Sequence, residues 1–246
     1  MEKVKSKNTN HKSKILGQAI RPYPDLRFAA EGPEAFFSPA AVAKFRPGIR
    51  SREAGALIAP ASDRFAALHY RYLREVTVLD VKAGERETEP FRIESKFPVS
   101  HLVIRLGRNA EATVVELPDE FPVASRYTEI TLAPGANLRL VVLRKNLVGS
   151  CRAERKLATV GARARLSYSW AVTGGSHSYF RFDADLAGRG GRADWAGAFL
   201  AQGGETVVHC EAHHRAPETI SRNESRGVVR SGGRAVFKGM IKIDRV

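Results

Sequence analysis

From Val76 onward, apolar and polar residues alternate in short runs. The runs are VTVLDV (76–81), HLVIRL (101–106), ATVVEL (112–117), YTEITL (127–132), LRLVVL (138–143), ARLSYSWAV (164–172), YFRFDADL (179–186), ADWAGAFLA (193–201), TVVHCEAH (206–213) and AVFKGMIKI (235–243). Glycine, proline, asparagine or aspartate separates them. A period of two places alternate side chains on opposite faces of a strand, and turn signals every 10 to 15 residues predict an all-β protein.

The segments LGRNAEATVVE, LAPGANLRLVVL, VGARARLSYSWAV, LAGRGGRADWAGAFL and RSGGRAVFKGMIKI share one grammar: a strand end, a glycine-bearing turn, a small or basic residue, and a new strand. The turn glycines Gly107, Gly135, Gly161 and Gly190 are spaced 28, 26 and 29 residues apart, with 42 more to Gly232. Such a period is too short for a propeller blade and suits a rung of a solenoid, in which each rung buries its apolar face only when the next stacks on it. The prediction is a right-handed parallel β-helix, with a sandwich as the alternative. The pairs Gly174–Gly175, Gly190–Gly191 and Gly203–Gly204 read as corners between rungs, because no phosphate-binding glycine motif surrounds them.

The N-terminal part differs. Residues 1–20 are polar and basic, with five lysines between 3 and 14, and are expected to be disordered. Residues 21–75 form an irregular, partly helical segment. Six prolines lie between Pro22 and Pro60, and a short helix is expected over Glu34–Phe45. Phe65, Leu68, Tyr72 and Leu73 recur at helical spacing after a capping Ser62 or Asp63, so 62–75 reads as a helix, with a strand as the alternative. Residues 76–246 are then the β-helix core.

Composition adds limits. No stretch approaches the roughly 20 apolar residues of a membrane-spanning helix, and no apolar run follows the basic start, so no membrane association and a cytoplasmic location are expected. The net charge of +14 raises an anionic partner as the competing function, a basic solenoid binding nucleic acid. The basic residues are scattered, and those at alternate positions, such as Arg163 and Arg165, read as a solvated face, so nucleic acid is not the expected partner.

Only two cysteines, Cys151 and Cys210, are present, too few for a four-thiolate site. His209, Cys210, His213 and His214 form the densest grouping of possible metal ligands. On a strand, His209 and His213 would share one face and Cys210 and His214 the other. Cys151, near Arg144, Lys145, Arg152 and Arg155, is the candidate reactive thiol, since nearby cations favour a thiolate. Asp183 and Asp185 share a strand face and are the only pair that suggested a glycosidase. No nucleophile elbow or His-Glu-x-x-His pattern occurs, and the chain is not expected to be an enzyme.

Residues 209–243, HCEAHHRAPETISRNESRGVVRSGGRAVFKGMIKI, resemble the signature of the SufB/SufD family. The matching positions are His214, Thr219, Ser221, Gly227, Gly233, Arg234, Phe237, Gly239, Ile241 and Ile243. Upstream, VTVLDVKAGERETEPFRI resembles the family's entry strand and HLVIRLGRNAEATVVE its next rung. The resemblance implies a β-helix scaffold subunit for iron–sulfur cluster assembly. Its implied partners are a SufC-like ATPase and a SufB/SufD-like paralogue, or a second copy through the β-helix. Two departures accompany it. Ala158 stands at the best match for a functional cysteine of SufB, and the chain ends three residues after GMIKI, before the family's later cluster-related residues. The chain is therefore expected to be truncated, split or a short relative, and to hold no cluster stably by itself; a cluster is expected only within a complex.

Overall fold

A computed structural model describes residues 51–146, 149–175 and 177–245. The tail 1–20 and the expected helix over Glu34–Phe45 lie outside the described residues. One helix, α1 (Arg64–Tyr72), is followed by thirteen strands. These are β1 (Glu75–Val81), β2 (Phe91–Ile93), β3 (Val99–Leu106), β4 (Glu111–Glu116), β5 (Val123–Leu132), β6 (Asn137–Lys145) and β7 (Cys151–Val160). They continue with β8 (Arg165–Thr173), β9 (His177–Leu186), β10 (Arg192–Ala201), β11 (Glu205–His214), β12 (Ile220–Val229) and β13 (Arg234–Ile243).

The odd strands form one sheet in the order β1-β3-β5-β7-β9-β11-β13, and the even strands form the other, β12-β10-β8-β6-β4-β2. Neighbours within each sheet pair in parallel. The chain thus crosses to the opposite sheet at every corner and climbs one rung per two strands. A sandwich of hairpins is excluded, and the parallel β-solenoid expected from the sequence is the fold.

Six left-handed residues mark one corner, one per rung: Gly84, Asn109, Gly135, Arg163, Gly190 and Glu218. This column sets the true repeat. It also corrects the spacing read from glycines alone. Gly107 and Gly161 occupy a different place in the same corner, where an added Cβ would lie 2.5 Å from Ala83 N and 2.6 Å from Leu132 O, so there the need is close backbone approach. Gly232 belongs to the opposite corner, with Gly203 and the Gly174–Gly175 pair, which explains its long gap. Arg163 sits in the first corner, with Gly135 and Gly190, rather than on a strand face.

Inward columns build the core. Leu79, Ile104, Ile130, Ala158, Ala184 and Ala212 follow one another through the paired registers of the odd sheet. Facing them, Leu140, Tyr168 and Trp195 stack in the even sheet. Phe180 and Phe182 are fully buried, and each contributes on the order of 2 kcal/mol by leaving water.

The sequence missed β2, β7 and β12. β7 reads CRAERKLATV, and its inward positions Arg152, Glu154 and Lys156 are at most 3% exposed. A strand whose inward side chains are charged shows no apolar alternation. β12 reads ISRNESRGVV, and its Ser221 and Asn223 continue the inward columns of Ala193 and Trp195. Arg163 and Arg165, expected to be solvated, are both exposed, whereas Arg126, Arg144 and Arg152 are inside the solenoid.

α1 confirms the helical reading of 62–75. Asp63 caps it, its carboxylate accepting from Ala66 N at 2.7 Å. The helix lies on the outer face of the odd sheet, with Phe65 stacked on Tyr179 of β9 at 5.3 Å between centroids.

Candidate functional site

The core is apolar toward one corner and charged toward the other. Glu116 of β4 and Glu154 of β7 lie inside, with Arg144 of β6 between them: Arg144 Nε donates to Glu154 Oε1 and its Nη2 to Glu116 Oε2, each at 2.5 Å. Lys156 Nζ donates to Glu116 Oε1 at 2.7 Å and to Thr128 Oγ1 at 3.0 Å. Asp119, in the corner after β4, accepts from Arg152 at 2.7 Å and from Arg126 at 3.1 Å. Burial pushes the Glu116 carboxyl up, but Lys156 and Arg144 outweigh it and hold it at about 2. Burial likewise opposes Asp119, and the Arg152 hydrogen bond with the Arg126 charge brings it to about 2. Burial lowers Arg126 to about 10, because one carboxylate only partly compensates it. Each of these charges has an opposite charge beside it, although Arg126 Nε and Glu154 Oε2 make no hydrogen bond, so the cluster orders the interior.

A second polar assembly ties the N-terminal segment to the outside of the odd sheet. The Glu129 carboxylate accepts four successive backbone N–H groups, from Gly55, Ala56, Leu57 and Ile58, at 2.9, 3.0, 3.1 and 3.0 Å. Such a nest of amides is a fixed positive pole. Burial raises Glu129, and hydrogen bonds from His101 and from the Ile58 and Leu57 amides override it, to about 2. His101 Nε2 lies 3.5 Å from Glu129 Oε1. His69 Nε2 meets His101 Nδ1 at 3.2 Å, and His69 Nδ1 meets Ser125 Oγ at 2.9 Å. The series Ser125–His69–His101–Glu129 has the residue types of a hydrolytic relay. Ser125 is 6% exposed, however, and lies beneath α1, so no substrate reaches its hydroxyl.

The proposed ligand group sits on β11 and is divided by it. His209 and His213 face outward, while Cys210 and His214 face inward, as strand alternation requires. Both ring nitrogens of His214 are engaged, with Thr219 Oγ1 at 2.8 Å and Ser221 Oγ at 2.9 Å. His213 Nε2 pairs with Asp244 at 2.9 Å, and its Nδ1 accepts from Arg215 Nε at 3.2 Å. Burial, then Arg181 and Lys238, lowers His209 to about 4. Burial pushes the Cys210 thiol up to about 11. Among the described residues, no three His, Cys, Asp or Glu side chains converge as a metal site.

Cys151 opens β7 and is half-buried. Its thiol is raised by burial, the opposite of what its basic neighbours in sequence suggested. Two of those neighbours, Arg144 and Arg152, are committed to Glu154 and Asp119 inside the solenoid. Ala158 points into the core between Ile130 and Ala184. Asp183 is held by Arg181 at 2.7 Å and Asp185 by Arg215 at 2.6 Å, so each carboxylate has its own cation.

The last described rung is different again. Inward Ser221, Asn223 and Ser225 leave a cavity of about 550 Å³ bounded also by Trp195, Cys210 and Phe237. Ile220, Val228, Val229, Phe237, Ile241 and Ile243 are between 47 and 72% exposed there. β12 and β13 stand at the edges of their sheets, with one side of each unpaired among the described strands. Sequence reading singled out GMIKI for its pattern, but the exposure of its apolar side chains appears only in the assembled rung.

No curated protein matches the chain. Residues 91–246, everything from β2 onward, match the family described as SUF system FeS cluster assembly, SufBD core domain. With that match over more than half of its length, and the parallel solenoid that carries it, the chain belongs to the SufBD core family of the SUF system of iron–sulfur cluster assembly.

Proposed function

We propose that the chain is a scaffold subunit of cluster assembly that works through protein contacts, with an ABC-type ATPase and a SufB- or SufD-like paralogue as partners. The observation that supports this reading is the exposed apolar rung at β12 and β13. A row of exposed Val, Ile and Phe beside unpaired strand edges is an adhesive surface, which soluble chains ordinarily cover. A paralogue of the same rung spacing can extend both sheets and cover it. The chain acts as body and not as catalyst, and a cluster is held only in the complex. No helix of the described residues is long and apolar enough to cross a membrane; a cytoplasmic site of action is part of the proposal.

The test is co-expression of the tagged chain with the ATPase and paralogue of its own host. Stoichiometric co-purification supports the reading, and its absence in both pairings sinks it. Anaerobic reconstitution of the isolated chain with iron and sulfide should leave no long-lived chromophore. The competing nucleic-acid reading is weakened because Arg126, Arg144, Arg152 and Lys156 are spent inside the core. A steep salt-dependent affinity for duplex or single strands would revive it.

A further inference from the structure

Residues 51–74 cross the outer face of β3, β5, β7 and β9 as a strap. It is held by apolar and polar contacts together, and Ile58 and Ala66 are fully buried in a cluster with Tyr127 and Leu157. Glu129 grips the 55–58 amides, Arg155 Nη1 donates to Asp63 at 2.7 Å, and Tyr70 donates its hydroxyl to Ile58 O at 2.7 Å. His69 is stacked on Tyr127 with centroids 4.0 Å apart and planes within 8°. Phe65 and Leu68 close over Ala153, together with Val123, Cys151 and Tyr179.

The histidine pair within this strap has a limited proton capacity. With both imidazoles neutral, one arrangement matches donor to acceptor at the two short contacts and leaves His101 Nε2 without a hydrogen bond, 3.5 Å from Glu129. Ser125 Oγ–H donates to His69 Nδ1, His69 Nε2–H donates to His101 Nδ1, and His101 Nε2–H faces Glu129. One added proton is also accommodated. His69 turns its proton toward Ser125 and accepts from His101, whose positive charge faces the Glu129 carboxylate. A second proton is not accommodated, because two N–H donors would then face each other at 3.2 Å in a site where both rings are 1% exposed.

We infer that residues 51–74 form an acid-released cover over the outer face of β5, β7 and β9, opened when the His69–His101 pair takes up its second proton, and that opening uncovers the thiol of Cys151. The groups facing the pair favour this outcome. From β5, Arg126 adds positive charge behind His69, and Tyr127 is neutral. From β5, Glu129 faces His101, and from α1 the neutral Tyr70 hydroxyl lies 3.3 Å from Glu129 without adding charge. Asp63 and Arg155 neutralise each other at the strap's far side. Burial, then His101, then Arg126, holds His69 well below the usual imidazole range. A released His69 titrates near 6.5, so the open form binds more protons than the closed one below that pH, and acid favours opening.

The two cysteines report on it separately, since Cys151 lies under the strap and Cys210 lies in the core. The full chain is treated with 4,4′-dithiodipyridine from pH 7.5 to 5.0. Labelling is mapped by mass and corrected for thiolate content with a free cysteine peptide. Cys151 labelling is expected to rise roughly tenfold per pH unit below about 6.5, with Cys210 unlabelled. In His69→Gln the slope should vanish. Should that variant label fast at every pH, His101→Gln replaces it: its amide oxygen accepts from His69 in either protonation state, so the strap stays closed and the slope must still flatten. A flat profile in the native chain overturns the inference. So does an unchanged slope in the substituted chain that keeps its strap closed, or labelling of Cys210 in step with Cys151.

Discussion

Trp170 on β8 lies across Gly197 of the next rung, so closely that a Cβ on Gly197 would sit 1.9 Å from Trp170 Cε2. The indole takes the space of the missing side chain, and Phe199 does the same over Gly227 one rung further, 2.2 Å from an added Cβ. The stacking of aromatic on glycine fixes which rung follows which. Gly197→Ala should therefore force the indole out of its place and cost about 1–3 kcal/mol, measured by chemical denaturation. Gly84→Ala meets nothing within 4 Å and should cost only the left-handed backbone term, about 1–2 kcal/mol.

The interior charges predict a second effect. Glu154→Ala removes a carboxylate between Arg144 and Arg152 and leaves buried cations short of their partner. The expected loss is about 3–5 kcal/mol. Glu224→Gln, which touches only exposed Arg222 and Arg226, should leave the denaturation midpoint where it is. Equal losses in the two variants would contradict the buried network.

Acid should act on these carboxylates in a defined window. Glu116 and Asp119 are held at about 2 in the folded chain and sit near 4 when unfolded. The folded state then binds fewer protons, so their stabilisation is complete above roughly pH 5 and is lost as pH falls toward 2. Urea midpoints at pH 7, 4 and 2.5 should decline mainly between the last two. A midpoint independent of pH over that range would remove the network as a source of stability.

The grip of Glu129 on the strap can be tested alone. Glu129→Gln exchanges one acceptor oxygen for an N–H₂ group that faces amide donors. Hydrogen exchange of residues 51–74 should accelerate at pH 7.5, while protection of β7 to β10 is unchanged. Loss of protection in both regions would mean that Glu129 supports the solenoid itself.

The sequence displayed the solenoid wherever the core is apolar. Ile104, Ile130 and Leu166 announce their strands because their neighbours in the column are also aliphatic. β7 stayed hidden because Arg152, Glu154 and Lys156 point inward, and a charged inward residue looks the same in sequence as a solvated one. β12 stayed hidden for the related reason that Ser221, Asn223 and Ser225 line a cavity. The split of His209 and His213 from Cys210 and His214 followed from alternation alone. The hydrogen bonds that engage His213 and His214 did not, because Asp244, Thr219 and Ser221 reach them only through the fold. Glu129 gave no signal, since its partners are backbone amides some seventy residues earlier.

The exposed rung of β12 and β13 is the proposed contact surface with the paralogue. Analytical ultracentrifugation of the co-expressed chain and paralogue, native and with Val228→Lys and Ile241→Lys together, tests it directly. The native pair should sediment as one complex and the doubly substituted chain as a separate, folded species. Equal complex formation by both, or a native chain that stays apart from its paralogue at every concentration, would contradict it.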